Sequence, residues 1–497
     1  MQYRPVDGGD PPAPGLAHKA AALPAEYAQG VEDSEQAVLT GMLQSAEDAA
    51  PVQAVEAVTG VIATALNARG VSLLIADLSG RALVRLTHQP DGGGAGRRHG
   101  EEEAEVLPFD GGPYERALRQ QAPEVVPGDG TWTVLAPVTD RGEAIGLLEI
   151  DLPDEPDGDV VNWVARTAHA LAFVVIANRR HTDLFEWGQR TTPFTLSAEI
   201  QRRLLPASFT CEAGAFALSG WLEPAASVGG DTFDYSLARD LLHLSVTDAM
   251  GHGVASALTA TLGVGSLRNT RRRGLGLVAQ AEEANRAVAE HANVRGAYVT
   301  AVLGRIDLTT GRCELLNAGH VPPLLVRDGR VVPVELPGNF PFGMFPGESY
   351  RSAELPLLPG DRLVVVTDGM RERNAADLDL AAALLRLAHL HPREAVRALP
   401  TRCWRSPGRL WPTTPRCSSS TGTAATGHAA APPARTAPAS ARTRSAQRTA
   451  VGEPSSASRT VPKSGTTRST EVIEKTLRID WRTTARPSQP SRSRRFL

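Results

Sequence analysis

The sequence predicts an α/β protein of the mixed α+β kind, with two folded parts, a short helical linker between them and unstructured ends. Three observations predict this. Short runs of Val, Ile, Leu and aromatic residues alternate with turns carrying Gly, Asp and Asn, the pattern of strands. Longer segments place apolar residues at helical spacing. The composition shifts twice, near residues 34 and 400.

Residues 1–34 are rich in Pro, Gly and Ala without periodicity and are expected to be disordered. Residues 35–180 form the first folded part. Helical spacing runs through AVLTGMLQSA and VEAVTGVIATALNARG. VSLLIADLSGRALVRLTH reads as two strands around a Leu-Ser-Gly turn. The stretch from Asp91 to Glu103 has no apolar side chain larger than alanine and reads as a loop. TWTVLAPVTD and EAIGLLEIDLP then pair around Arg141-Gly142, and Val160 to Arg180 closes the part as a long apolar helix. This order resembles a GAF sensor domain, and APVTDRGEAIGLLEIDLP resembles that family's closing hairpin. The resemblance implies a small-molecule ligand; a packed α/β spacer without a ligand fits the same residues.

Residues 181–206 connect the two parts. Thr195 or Ser197 is placed to cap a helix through AEIQRRLL that Pro206 stops. A homodimer paired through this linker helix is one expectation. A surface helix packed on the next domain is the other, because the apolar stripe is short.

The second folded part, residues 207–400, carries four motifs: Ser227 to Tyr235 (SVGGDTFDY), Val246 to Gly253 (VTDAMGHG), Asn317 to Pro323 (NAGHVPP) and Val364 to Met370 (VVVTDGM). Asp231 follows Gly229-Gly230, whose missing Cβ atoms admit close backbone approach. Asp248 and Asp368 each end an apolar strand. Aspartates at strand ends can converge, and hard oxygen ligands suit Mg²⁺ or Mn²⁺. A pair of such ions can lower the pKa of a bridging water and clamp a phosphoryl group, so no protein nucleophile is required.

Together the motifs resemble the protein phosphatase 2C superfamily, in its bacterial SpoIIE/RsbU-like branch, from about Arg202 to Asn374. That resemblance implies an α-β-β-α sandwich. It makes Asp231, Asp248, the backbone carbonyl of Ala249 and Asp368 metal ligands, with Gly230, Asp234, His252 and Gly369 as weaker site candidates. Asp234 would stand behind the ligands or cap a turn. His252 sits in a tight turn at a helix start that could face an anion. His320 is expected to be structural.

The net charge of −3 speaks against a dedicated nucleic-acid or membrane-surface partner. Cys211, Cys313, Cys403 and Cys417 share no zinc or disulfide spacing, and no signal peptide or membrane-spanning stretch is read. A cytoplasmic protein is expected.

From Thr401 to residue 497 the chain is rich in Ser, Thr, Arg, Pro and Ala, and disorder is expected. The phosphatase family would instead place a helix and an Asp-Asp-x-Thr strand here. Reading the last base of each codon with the first two of the next, from Trp411 to Thr423, permits Ala-Asp-Asp-Ala-Thr-Val-Leu-Leu-Leu-Asp-Trp-His. A frame lost near Pro400 to Arg402 would account for the missing motif.

The resemblance thus implies a metal-dependent serine/threonine phosphatase acting on a phosphorylated anti-sigma-factor antagonist under a GAF-like sensor. The missing strand leaves a second expectation. It is a catalytically impaired pseudophosphatase, a binding or regulatory module with a weakened second metal site and low stability.

Overall fold

The computed structural model describes residues 25–88, 97–99, 102–222, 230–291, 295–367, 379–403 and 475–481. The chain divides into a main unit, residues 1–404 with 472–497, and a smaller one, residues 405–471, which lies outside the described residues.

The N-terminal half opens with α1 (Ala25–Asp48) and α2 (Ala54–Leu66). Helix thus begins inside the stretch expected to be disordered. Seven strands then build one antiparallel sheet: β1 (Gly70–Ala76), β2 (Ala82–His88), β3 (Arg97–His99), β4 (Glu102–Pro108), β5 (Glu124–Gly128), β6 (Thr131–Asp140) and β7 (Glu143–Leu152). Their spatial order is β3-β4-β2-β1-β7-β6-β5. The region expected to be a loop between Asp91 and Glu103 therefore contains β3 and the start of β4. The β6–β7 turn falls at Arg141 and Gly142, both at positive φ, which the two-residue hairpin imposes and which glycine favours only at the second position.

Side chains alternate along these strands, so each sheet face builds its own core. Ile75, Val134, Ala136, Leu148 and Ile150 pack under α1, α2 and α4 (Gly158–Asn178). Leu74, Leu83, Leu135 and Leu147 pack under α3 (Pro113–Gln120). Asp157 caps α4 by accepting from the Val160 N–H at 2.9 Å. Contrary to expectation, α4 is long and apolar enough to cross a membrane by length and composition. Here Val164, Ala168, Leu171, Ala172 and Val175 spend its apolar face on the sheet.

The linker is two short helices rather than one, α5 (Leu184–Gly188) and α6 (Leu196–Leu204). Thr195 caps α6, accepting from the Ala198 N–H at 3.3 Å. The buried face of α6 (Ser197, Ala198, Gln201, Leu204) is used on its own chain.

The second half is a four-layer sandwich. One sheet has the order β10-β11-β12-β13-β16, from β10 (Asp231–Leu237), β11 (Leu241–Ala249), β12 (Val299–Asp307), β13 (Arg312–Ala318) and β16 (Ala353–Pro356). The other has the order β15-β14-β17-β18-β9-β8, from β8 (Thr210–Glu212), β9 (Phe216–Leu222), β14 (Leu324–Arg327), β15 (Arg330–Pro333), β17 (Arg362–Val366) and β18 (Lys475–Trp481). Phe216, Leu218, Phe233, Leu244, Val246, Val302, Leu363 and Val365 fill the space between the sheets. Helices α7 (Gly253–Arg272) and α8 (Leu277–His291) cover the first sheet through Ala260, Val264, Ala281 and Val288. Helices α9 (Leu380–Arg386) and α10 (Pro392–Cys403) cover the second through Ala383, Leu387, Ala395 and Leu399. The sandwich expected from the sequence is the observed architecture.

Strand β18 corrects the tail. Residues 475–481 were expected to be disordered, yet they pair antiparallel with both β17 (Val365 opposite Leu477) and β9 (Ser219 opposite Arg478). Without this strand, β17 and β9 would both present unpaired backbone edges. Ile479, 1% exposed, adds its side chain to the core between the sheets.

Candidate metal centre

Strand β10 follows Gly230, and β11 runs antiparallel to it in a register that sets Asp231 directly opposite Asp248. Directly opposed side chains on one face of an antiparallel pair are close neighbours. Strand parity fixes which face this is. Phe233, Leu244 and Val246 point into the core between the sheets, so Asp231 and Asp248 share that face at its open end. Asp231 is buried and Asp248 half-buried.

Ala249 ends β11, and its N–H donates to the Gly230 carbonyl at 3.1 Å. Its own carbonyl accepts from the Ser256 hydroxyl of α7 at 3.0 Å. A Cβ on Gly230 would stand 2.5 Å from the Ala249 oxygen and 2.3 Å from the Ser256 oxygen. Glycine is therefore required here by close approach of two backbones rather than by its φ. Behind the site, buried Gln201 of α6 donates from Nε2 to the Asp231 carbonyl at 2.7 Å. The sequence reading passed over Gln201 and Ser256. Each is a single polar residue in an ordinary helix, and only the third dimension aims it at the site.

Asp234, expected behind the ligands or as a turn cap, faces away from Asp231 and Asp248. It lies three residues on from Asp231, on the opposite face of β10, and is buried against α7. There Arg268 grips it with Nε at 3.1 Å and Nη2 at 3.0 Å, and Arg271 adds Nη1 at 2.9 Å. On the same face, the Thr232 and Thr247 hydroxyls meet at 2.6 Å.

His252 is exposed at the N-cap of α7 and makes no side-chain capping bond. Gly251 and Gly253 on either side have positive φ, 91° and 76°, which gives the tight turn expected. His320 is buried. Its Nδ1 lies 2.7 Å from the Thr300 hydroxyl, its N–H donates to Asn317 Oδ1 at 2.7 Å, and Asn317 Nδ2 donates to its carbonyl at 2.9 Å. That tie across the NAGH turn is a structural role.

Asp368 and Gly369 lie outside the described residues, as do Ser227 to Gly229. Among the described residues no group of three or more His, Cys, Asp or Glu side chains forms a metal cluster. What they supply is two opposed carboxylates beside the Ala249 carbonyl. That all-oxygen donor set fits a hard divalent cation such as Mg²⁺ or Mn²⁺ and suits no soft metal.

Residues 238–406 match the family model described as Stage II sporulation protein E (SpoIIE). The chain is 25% identical over 163 residues to the phosphoserine phosphatase RsbP of Bacillus subtilis, covering 32% of this chain and 40% of that protein. It is 26% identical over 203 residues to protein IcfG of Synechocystis, covering 35% of this chain and 32% of that protein. The match thus spans less than half the length of either relative. A crystal structure of the RsbU and RsbW domains of a Mycobacterium tuberculosis protein aligns at 27% identity over 40% of this chain and 57% of that one, with a TM-score of 0.34.

Proposed function

This chain carries a domain of the SpoIIE family, and from that premise we propose that it is a metal-dependent protein serine/threonine phosphatase of the SpoIIE/RsbU type. The observation that carries the reading is the direct pairing of Asp231 with Asp248 at the open end of the inter-sheet core. Asp231, Asp248 and the Ala249 carbonyl would hold the ion, with Asp368 as the further ligand. When bound, Mg²⁺ or Mn²⁺ supplies a water of lowered pKa and positive charge for the phosphoryl oxygens.

The remaining residues position this centre. Gly230 keeps its own Cβ out of the space beside the Ala249 oxygen. Ser256 orients that carbonyl, and Gln201 holds the Asp231 backbone. The first turn of α7, which begins four residues after Ala249, would offer its N–H groups to an arriving phosphate. The substrate class in this reading is a phosphoserine or phosphothreonine protein of the anti-sigma-factor antagonist kind. It is supported by the similarity to RsbP, named as a phosphoserine phosphatase. The N-terminal half would act as a GAF-like sensor of a small molecule and bias the centre through α5 and α6. A cytoplasmic location belongs to the same reading, and the free thiols of Cys211 and Cys313 support it.

A second reading has one specific observation behind it. The strand that fills the slot between β17 and β9 is Lys475–Trp481, and it brings no Asp-Asp pair. A centre short of a carboxylate binds its second ion weakly, and the chain would then serve as a pseudophosphatase binding module. Mn²⁺-dependent hydrolysis of a phosphoserine peptide by the full chain, abolished in Asp231→Asn with the fold retained, supports the enzyme. Saturable Mn²⁺ binding that Asp231→Asn removes, with no turnover in the parent chain, supports the module. In that case the gene should be resequenced across the codons for Leu399 to Thr423.

A further inference from the structure

A cavity of about 760 Å³ opens where α4 ends, α5 begins and α6 ends, and neither Asp231 nor Asp248 lines it. Its apolar wall comes from Ile75, Ile145, Val175, Ile176, Phe185 and Leu205. Its polar wall is cationic: the lining holds Arg179, Arg180, Arg202 and Arg203 with two carboxylates, Asp183 and Glu186, and His181.

The two carboxylates do little to neutralise this wall. Glu186 is taken by Arg203 at 3.0 Å and by Arg190 at 3.1 Å. Arg203 also reaches Glu199 at 3.4 Å. Among the described residues, neither Arg179 nor Arg202 has an ion-pair partner, and Arg180 contacts only His181, at 3.2 Å. Arg202 rests its guanidinium over the Phe209 ring, 5.3 Å from the centroid. Burial pulls its pKa down, and Arg179 and Arg190 add to that against Glu186 and Glu143.

Arginines in the last turn of a helix ordinarily answer the helix dipole in open solvent. Arg202 departs from that pattern because it is partly withdrawn from water and stacked on Phe209, with Glu186 and Glu143 acting on it only from beyond ion-pair distance. A partly desolvated guanidinium without a carboxylate is costly unless an anion completes it. The forked donors of arginine match phosphate oxygens in pairs. The volume lies within the range of sites for small organic ligands.

We propose that this cavity binds an organic phosphate, a doubly charged phosphate monoester on an apolar body, with Arg179, Arg180 and Arg202 taking the phosphate and the Ile and Phe side chains taking the body. No substrate chemistry occurs there, and the site shares no residue with the metal centre.

The test is calorimetric titration of the full chain with 1-naphthyl phosphate in EDTA, which strips the metal centre and prevents hydrolysis. Saturable one-site binding is expected, with inorganic phosphate binding at least about ten-fold more weakly and 1-naphthol not at all. Arg202→Gln and Arg179→Gln should each weaken binding by about ten-fold or more with circular dichroism unchanged. Arg180→Gln, at an exposed position where folding is not at stake, should weaken it in the same direction. Arg330→Gln, in the β14–β15 hairpin, should leave it unchanged. Absence of saturable binding overturns the proposal. So does binding that all three cavity variants leave intact, or that Arg330→Gln weakens equally. Asp231→Asn should bind normally, so failure of this site and failure of the phosphatase reading give different results.

Discussion

Gln201 of the linker helix α6 donates its side-chain amide to the backbone carbonyl of Asp231 at 2.7 Å, in a contact closed to solvent. A residue just ahead of the sandwich therefore holds one of its two opposed carboxylate residues in place. Replacing it with alanine leaves a buried carbonyl without its donor, which costs about 1–3 kcal/mol. Gln201→Ala should lower the urea midpoint accordingly and weaken Mn²⁺ binding. An unchanged midpoint and unchanged Mn²⁺ affinity would show that α6 does not support the centre.

Gly230→Ala should be worse for the site than for the fold. Its Cβ would press on the Ala249 carbonyl at 2.5 Å and on Ser256 Oγ at 2.3 Å. Backbone must shift, at a cost of about 1–3 kcal/mol. The Ala249 oxygen is displaced in the process. Mn²⁺ titration followed by water-proton relaxation should show lost affinity, while a structure of the variant with β10 and β11 unmoved would contradict the argument.

Asp234 should matter to stability and not to chemistry. Its carboxylate is 6% exposed and neutralises Arg268 and Arg271. Asp234→Ala strands both guanidiniums against a buried strand, a loss of about 3 kcal/mol, at the low end for buried pairs because the arginines keep some exposure. Any turnover per folded molecule should survive, measured below the variant's unfolding temperature. Loss of metal affinity without loss of stability would return Asp234 to the site.

Strand β18 should be part of the folded core. Ile479→Ala removes a 1% exposed side chain from between the sheets and should cost about 2–5 kcal/mol. Hydrogen exchange should show the amides of residues 476–480 protected together with those of β17. Fast exchange at these amides would place the strand outside the sandwich.

The two halves also meet through Glu394 of α10, which pairs with Arg119 of α3 at 3.2 Å and with Arg393 at 2.9 Å. Arg393 in turn donates from Nη1 to the Gly142 carbonyl at 2.5 Å. Burial pushes the Glu394 pKa up, but Arg397, Arg393 and Arg119 outweigh it and hold the carboxyl below its ordinary 4.5. A depressed folded-state pKa gives stability that is present above the ordinary value and lost as pH falls through the folded one. The stability difference between the parent chain and Glu394→Gln should be flat from neutral pH to about 5 and should shrink in stronger acid. A difference that grows on acidification would reverse the assignment.

The sequence alone determined the local events. Apolar spacing and turn chemistry placed the helices and most strands, and Arg141-Gly142 and Gly251-His252-Gly253 lie in turns with the positive φ their glycines imply. Motif order pointed to Asp231, Asp248 and Ala249, because strand ends and glycines are local features, and the β10–β11 register sets the two carboxylates opposite each other. What only the tertiary structure decided were relationships between distant residues. A strand's parity is visible in its sequence, but which face meets a helix is not, so Asp234 turned away from Asp231 and Asp248 toward Arg268 and Arg271. Gln201 met Asp231 only once α6 had docked. Residues 475–481, apolar at alternate positions within a polar tail, became a strand because β17 and β9 left two ladders of backbone groups unpaired. Composition measures what a segment can bury by itself, and that strand's partners come from the rest of the fold.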